Sequence, residues 1–282
     1  MKNTADTIKD TVLEVFDSLE TNRFTVLGEN GQPMWERPVV GIAAGDDPYY
    51  DFLKRHIGPF HWSPSEVFAL KYEAVPASKL RVISIIFPQA AETKRMQKKA
   101  TVFPCDRWLV SRGEWERFIR GFCEKLEAAL DKKGIRAAAV DLRKEFSRMT
   151  SENLGIASKW SHRHSAFAAG LGTFGLSDGF ISEKGKAIRI TSVITESDAH
   201  VTPRGDRGPY DWCLYYSKGT CGACIKRCPA GAITSEGHDK DICSGYESQV
   251  CEKYWPAHIE RCDYIFGCGI CQAGVPCMSR RP

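Results

Sequence analysis

The chain has 282 residues, of which 43% are hydrophobic and 26% charged, an ordinary balance for a soluble globular protein with room for one large domain or a medium and a small one. Its net charge of +4 comes from bases interspersed with acids, which gives no case for a nucleic-acid partner. No apolar run reaches the length of a membrane span, so no membrane role is expected.

The opening stretch, MKNTADTIKDTVLEVFDSLE, lacks the apolar core and small-residue cleavage site of a secretory signal, and it has no twin-arginine start. A cytoplasmic location is the expectation. Within that stretch Ile8, Val12, Phe16 and Leu19 recur at helical spacing, which predicts a helix over Ala5–Glu20. RPVVGIAA (Arg37–Ala44) and LRVISIIF (Leu80–Phe87) read as buried strands, short and β-branched. In EWERFIRGFCEKLEAALDKKG one apolar face collects Trp115, Phe118, Ile119, Phe122, Leu126 and Leu130, and Gly134 stops the helix. Cys123 falls one position off that face and reads as a spectator.

IRAAAVD (Ile135–Asp141) follows as a strand. A helix is expected near Trp160–Ala169, then GLGTFG as a loop, then the alternating strand AIRITSVITE (Ala187–Glu196). SDAHVTPRGDRGPYDW, rich in Pro, Gly and Asp, reads as a linker. The expected class is α+β, with residues 1–205 as one domain and 206–282 as a second, cysteine-rich one.

Ten of the twelve cysteines lie between Cys213 and Cys277. Without an export signal, that density points to metal rather than disulfides. TCGACIKRCPAGAI sets Cys221, Cys224 and Cys228 at C-x2-C-x3-C-P, and CDYIFGCGICQAGVPC adds Cys268 and Cys271 as a second C-x2-C. A zinc ribbon would use four thiolates and leave the others over, whereas the C-x3-C-P element belongs to iron–sulfur ligand runs. Two [4Fe–4S] clusters need eight thiolates. In two-cluster ferredoxins the last cysteine of each run crosses to the other cluster. That rule joins Cys221 and Cys224 to Cys277, and Cys268 and Cys271 to Cys228. Lys218 stands where a ferredoxin run has its first cysteine, so Cys213, just upstream, is the expected replacement. Spacing leaves the last ligand open among Cys243, Cys251 and Cys262.

Two stretches carry a family resemblance. AGLGTFGLSDGFISEKGKAIRITSVITE, followed by CGACIKRCPAGAI, HDKDICSGY and YIFGCGICQ, resembles the epoxyqueuosine reductases and the corrinoid-dependent reductive dehalogenases, from about Ile135 to Cys277. The resemblance implies Cys243 as the remaining ligand. It also implies an N-terminal domain like nitroreductases and cobalamin-processing proteins, a bacterial ferredoxin-like domain after it, and a corrinoid (cobalamin) whose cobalt receives single electrons. Departures are the displaced Cys213, Pro276 before rather than after the last ligand, and no counterpart of the family's tRNA-binding tail or export signal. The family's acid follows a strand as V-D-[ST]-A-P, whereas here AAAVD at Asp141 is followed by LRKEF, which puts the queuosine substrate in doubt.

GLGTFG also fits the dinucleotide fingerprint G-x-G-x-x-G. A helix is expected before it and glycines interrupt any helix after it, so that reading fails on context. Gly170, Gly172 and Gly175 instead fit close backbone passage beside a large flat cofactor, or a plain tight turn. His162, His164 and Asp141 are candidate proton donors. At helical spacing the two histidines point to opposite sides, so at most one is expected in a pocket. Arg189 could hold a propionamide or phosphate, or equally form a surface salt bridge. The preferred reading is a corrinoid-dependent reductase of a small organic substrate, fed by a low-potential donor of ferredoxin or flavodoxin type. The alternatives are an electron-transfer protein that activates a partner's corrinoid, and a flavin-dependent reductase on the same fold.

Overall fold

The computed structural model describes residues 3–25, 31–205, 208–254 and 267–282, with backbone alone for 251–254. In chain order its first half holds α1 (Thr4–Asp17), β1 (Val39–Ala44), α2 (Pro48–Ile57), α3 (Pro64–Ala69), β2 (Leu80–Pro88), α4 (Ala91–Gln97), α5 (Asp106–Gly113), α6 (Trp115–Asp131) and β3 (Ala137–Ala139). There follow β4 (Arg148–Ser151), β5 (Gly155–Ser158), α7 (His162–Ala168), β6 (Gly172–Phe174), β7 (Phe180–Ser182) and β8 (Ile188–Glu196). The cysteine-rich part holds α8 (Leu214–Lys218), α9 (Ala223–Arg227), β9 (Ile233–Thr234), β10 (Gly237–His238) and α10 (Lys240–Tyr254).

Val82, Ile83, Ile85 and Ile86 favour extended backbone and leave β2 without a polar face. It therefore lies inside a four-stranded antiparallel sheet ordered β1-β2-β8-β3. Alternation then sorts the side chains. Ile83, Ile85 and Phe87 meet α1 and α6 on one face. Leu80, Val82 and Ile86 meet α2, α3 and α7 on the other. All six residues assigned to the apolar face of α6 are buried, and each such side chain stabilises the fold by ~2 kcal/mol relative to exposure.

Three sequence expectations change. The segment read as a linker runs as a strap along the free edge of β1, where Thr202 N–H donates to Ile42 O at 2.8 Å and Ile42 N–H donates to Thr202 Oγ1 at 3.0 Å. That cover removes an exposed strand edge. GLGTFG is not a plain loop, because Gly172–Phe174 pairs with β7. The strand after α6 is only Ala137–Ala139 long, and Asp141 lies in the 3-10 turn that ends it.

The cysteine-rich part is docked on this frame at several points. Lys186 and Ala187 N–H groups donate to Cys277 O and Met278 O at 2.8 and 3.1 Å. Gln97 Nε2 donates to Cys268 O at 2.9 Å. Gly269, at φ +62°, lies so close to Trp108 that a Cβ would fall 2.2 Å from its indole. Among the described residues no helix is long and apolar enough to cross a membrane.

Candidate functional site

Short helices fix most of the cysteines. Cys213 caps the N-terminus of α8, Cys224 lies in α9, Cys228 caps its C-terminus, and Cys243 sits in the first turn of α10. Cys268 and Cys271 flank the tight turn at Gly269. The result is two separate rings. Cys213, Cys221, Cys224 and Cys277 line a small apolar cavity. Cys228, Cys243, Cys268 and Cys271 line a cavity of about 400 Å³. Cys251 and Cys262 lie outside the described side chains.

A single zinc would draw four sulfurs to about 2.3 Å from one centre. Thiols spaced around a cavity fit a cluster, whose irons occupy the space between them. Burial pushes the Cys243 and Cys268 thiols up to about 12 and that of Cys277 to about 11. Thiols in that state are neutral near pH 7, so metal loading must expel their protons. Cys105 and Cys123 stand apart from both rings. Burial raises Cys105 to about 11, and Cys123 is sealed in the core with Thr191 Oγ1 3.9 Å from its sulfur.

The larger cysteine cavity continues into a second one of about 350 Å³, since Ser158, Arg163, Gly179 and Gln272 line both. His162, at the start of α7, and Arg189, on β8, line this second part. His162 Nδ1 lies 3.0 Å from Ser192 Oγ, and Nε2 lies 3.6 Å from Asp141 Oδ1. Burial alone would raise the Asp141 pKa, but His162 and the Thr191 hydroxyl outweigh it and hold the carboxyl below its ordinary range. Arg189 makes no hydrogen bond or ion pair among the described residues, and burial, with Arg112 nearby, pushes its pKa down. A half-buried guanidinium lining a cleft suits an oxygen-rich ligand, and the surface salt bridge allowed by sequence is not formed among the described residues.

His164 points to the far side of α7 as its spacing implies, but it also meets a cavity, one of about 720 Å³ walled by Tyr49, Phe167 and Phe174. The expectation that at most one histidine faces a pocket is therefore corrected. So is the role given to the glycines. A Cβ at Gly172 would stand 2.0 Å from Ile181 O, and one at Gly170 2.6 Å from Pro203 O. The close passage that these glycines permit is to the protein's own backbone, and neither lines the cleft. Gly175 borders the smaller cysteine cavity instead.

Two imidazoles, His61 buried and His164 half-buried against the cavity wall, make the fold acid-sensitive. Burial lowers the pKa of His61 to about 4 and, with Arg163 adding to it, that of His164 to about 3. Unfolded histidine takes a proton near pH 6.5 while these two stay neutral in the folded chain. Stability is thus full above that pH and falls as pH drops toward 4, by roughly 1.4 kcal/mol per pH unit for each group. Denaturant midpoints between pH 7 and 4.5 should show this fall, and His61→Gln or His164→Gln should flatten it. An unchanged slope in both variants would refute the assignment.

Residues 219–276 match the family model of the 4Fe-4S double cluster binding domain. No curated protein matches the chain. Among solved structures it is similar to a reductive dehalogenase described for B12-dependent dehalogenation, at 18% identity and TM-score 0.44, over 74% of this chain and 27% of that one. It is also similar to a selenomethionine-labelled epoxyqueuosine reductase at 17% identity and TM-score 0.45, over 85% of this chain and 61% of that one. For the epoxyqueuosine reductase of Bacillus subtilis the values are 15% and 0.45, over 97% and 67%. The chain thus spans well under half the length of the dehalogenase and under two thirds of the first of these reductases. Lys186, Glu247 and Arg163 were not picked out from sequence, because each is a lone charge with no spacing pattern and acquires its place only when distant segments meet. What sequence match and geometry give together is a segment, residues 219–276, of the 4Fe-4S double-cluster kind, with most of both cysteine rings inside it.

Proposed function

We propose that this chain is a corrinoid-dependent iron–sulfur reductase acting on a small organic substrate. Residues up to about 205 hold the cofactor and substrate, and those from about 206 hold two [4Fe–4S] clusters. One observation carries the reading: the Cys228, Cys243, Cys268 and Cys271 ring opens into the same cleft as His162 and Arg189. A cluster there is placed to pass electrons to whatever the cleft holds. The other ring, Cys213, Cys221, Cys224 and Cys277, receives them from a low-potential donor.

When bound, a corrinoid supplies a cobalt centre that accepts single electrons and acts as a strong reductant. The chain's own residues do the rest. Arg189 and Arg163 offer donors to the cofactor's amide or phosphate oxygens. Asp141 and Ser192 flank the two ring nitrogens of His162 and hold its imidazole in place at the cleft, where it serves as the proton donor. Trp115, Phe180 and Ile188 give that part of the cleft an apolar wall.

Titration of anaerobic protein with cobalamin is expected to give a base-off spectral change. Arg189→Gln should weaken binding about tenfold, the loss of one charge-assisted contact, with iron content unchanged. No binding in either redox state, with flavin bound instead, would replace this reading by the flavin-dependent one.

A further inference from the structure

Lys186 is 3% exposed, yet among the described residues its ammonium has no carboxylate partner. Its one side-chain hydrogen bond goes to Ser177 Oγ. A buried cation without a counter-ion is costly unless negative charge arrives from elsewhere. Its position shows where that charge would come from. Lys186 lines the small cavity of the Cys213 ring and also the His162 part of the cleft. Its backbone N–H is bonded to the carbonyl of Cys277, a member of that ring. Its side chain threads past Gly179, where a Cβ would stand 2.9 Å from Lys186 Cε. The other ring has the opposite neighbour. Glu247 lines its cavity, and Oε1 accepts from Cys268 N–H at 3.4 Å.

Reduction adds one negative charge to a cluster without making or breaking a bond. A fixed cation nearby favours that step and a fixed anion opposes it. We propose that Lys186 and Glu247 set the two clusters at different potentials: Lys186 raises the one held by the Cys213 ring, and Glu247 lowers the one held by the Cys228 ring. The first cluster then takes an electron readily from a one-electron donor, and the cluster facing the cleft is the stronger reductant. The inference rests on the two-cluster reading.

The test is a redox titration of anaerobic holoprotein with dithionite and mediators, followed by EPR. Lys186→Met should lower the reduction equilibrium of the first cluster at least tenfold, which is about 59 mV for a one-electron couple. Glu247→Gln should raise that of the second by a similar factor. Signals are assigned with Cys213→Ala, which leaves the second cluster. Should Lys186→Met load no iron, Lys186→Gln and Gly179→Ala, which displaces the ammonium, are read in its place. Wild-type protein without iron would overturn the two-cluster reading itself. Iron-loaded variants within threefold of wild type would leave that reading standing and overturn this one.

Discussion

Alanine at Cys243 will remove one cluster and leave the other. Two [4Fe–4S] clusters bring about eight irons per chain, so the variant should hold about half the iron of wild type and lose one EPR signal. Cys213→Ala should do the same to the other signal. The argument is geometric. Each cysteine is one of four around its own cavity, and three remaining thiols leave one iron without its ligand. Cys105→Ala and Cys123→Ala should keep full iron, since both lie away from the cavities. Cys251 and Cys262 lie outside the described side chains, and the same experiment decides them. If Cys251→Ala or Cys262→Ala strips a cluster while Cys243→Ala does not, the ring assignment is wrong.

Gly172→Ala is expected to destabilise the fold by about 3 kcal/mol, the upper end for forcing an atom into packed surroundings. The added Cβ would overlap Ile181 O at 2.0 Å, and that carbonyl is backbone on the paired strand β7. Relief requires β6 and β7 to part. Since β7 leads directly into Lys186 and the bonds to Cys277 and Met278, cluster retention should suffer as well. Denaturant unfolding of wild type and variant measures the first effect and iron analysis the second. A variant of wild-type stability that no longer binds cobalamin would restore the view that this glycine makes room for a cofactor.

The parts legible in the sequence were those written in periodicity or fixed spacing. The face of α6 follows from helical spacing of its apolar residues, and the strands over Val39–Ala44 and Leu80–Pro88 from short β-branched apolar runs, with alternation marking Ile188–Glu196. The cysteine spacing likewise pointed to a double-cluster segment before any fold was known. The short helix α2 was overlooked although Asp47 and Pro48 give it an N-cap and a first-turn proline, a signal that could have been used. Asp141 and His162 were each weighed alone. Their approach to 3.6 Å depends on β3 and α7 converging at β8, which no local pattern encodes. The glycines misled because a residue without Cβ serves any close neighbour, and only the packed structure tells backbone from ligand.

Along the chain the two cysteine rings are nested. Every member of the Cys228 ring falls after Cys224 and before Cys277. The order in which the rings close is therefore not neutral. Cys277 must return to Cys224 across the whole intervening segment, and the entropy lost in that closure grows with the length of free chain. Once the inner ring has gathered Cys228, Cys243, Cys268 and Cys271, most of that segment is already tied off, and Cys277 is left a short tether from its partners. Assembly from the inside outward is the less costly route, so partly loaded protein should carry the inner cluster in excess of the outer one.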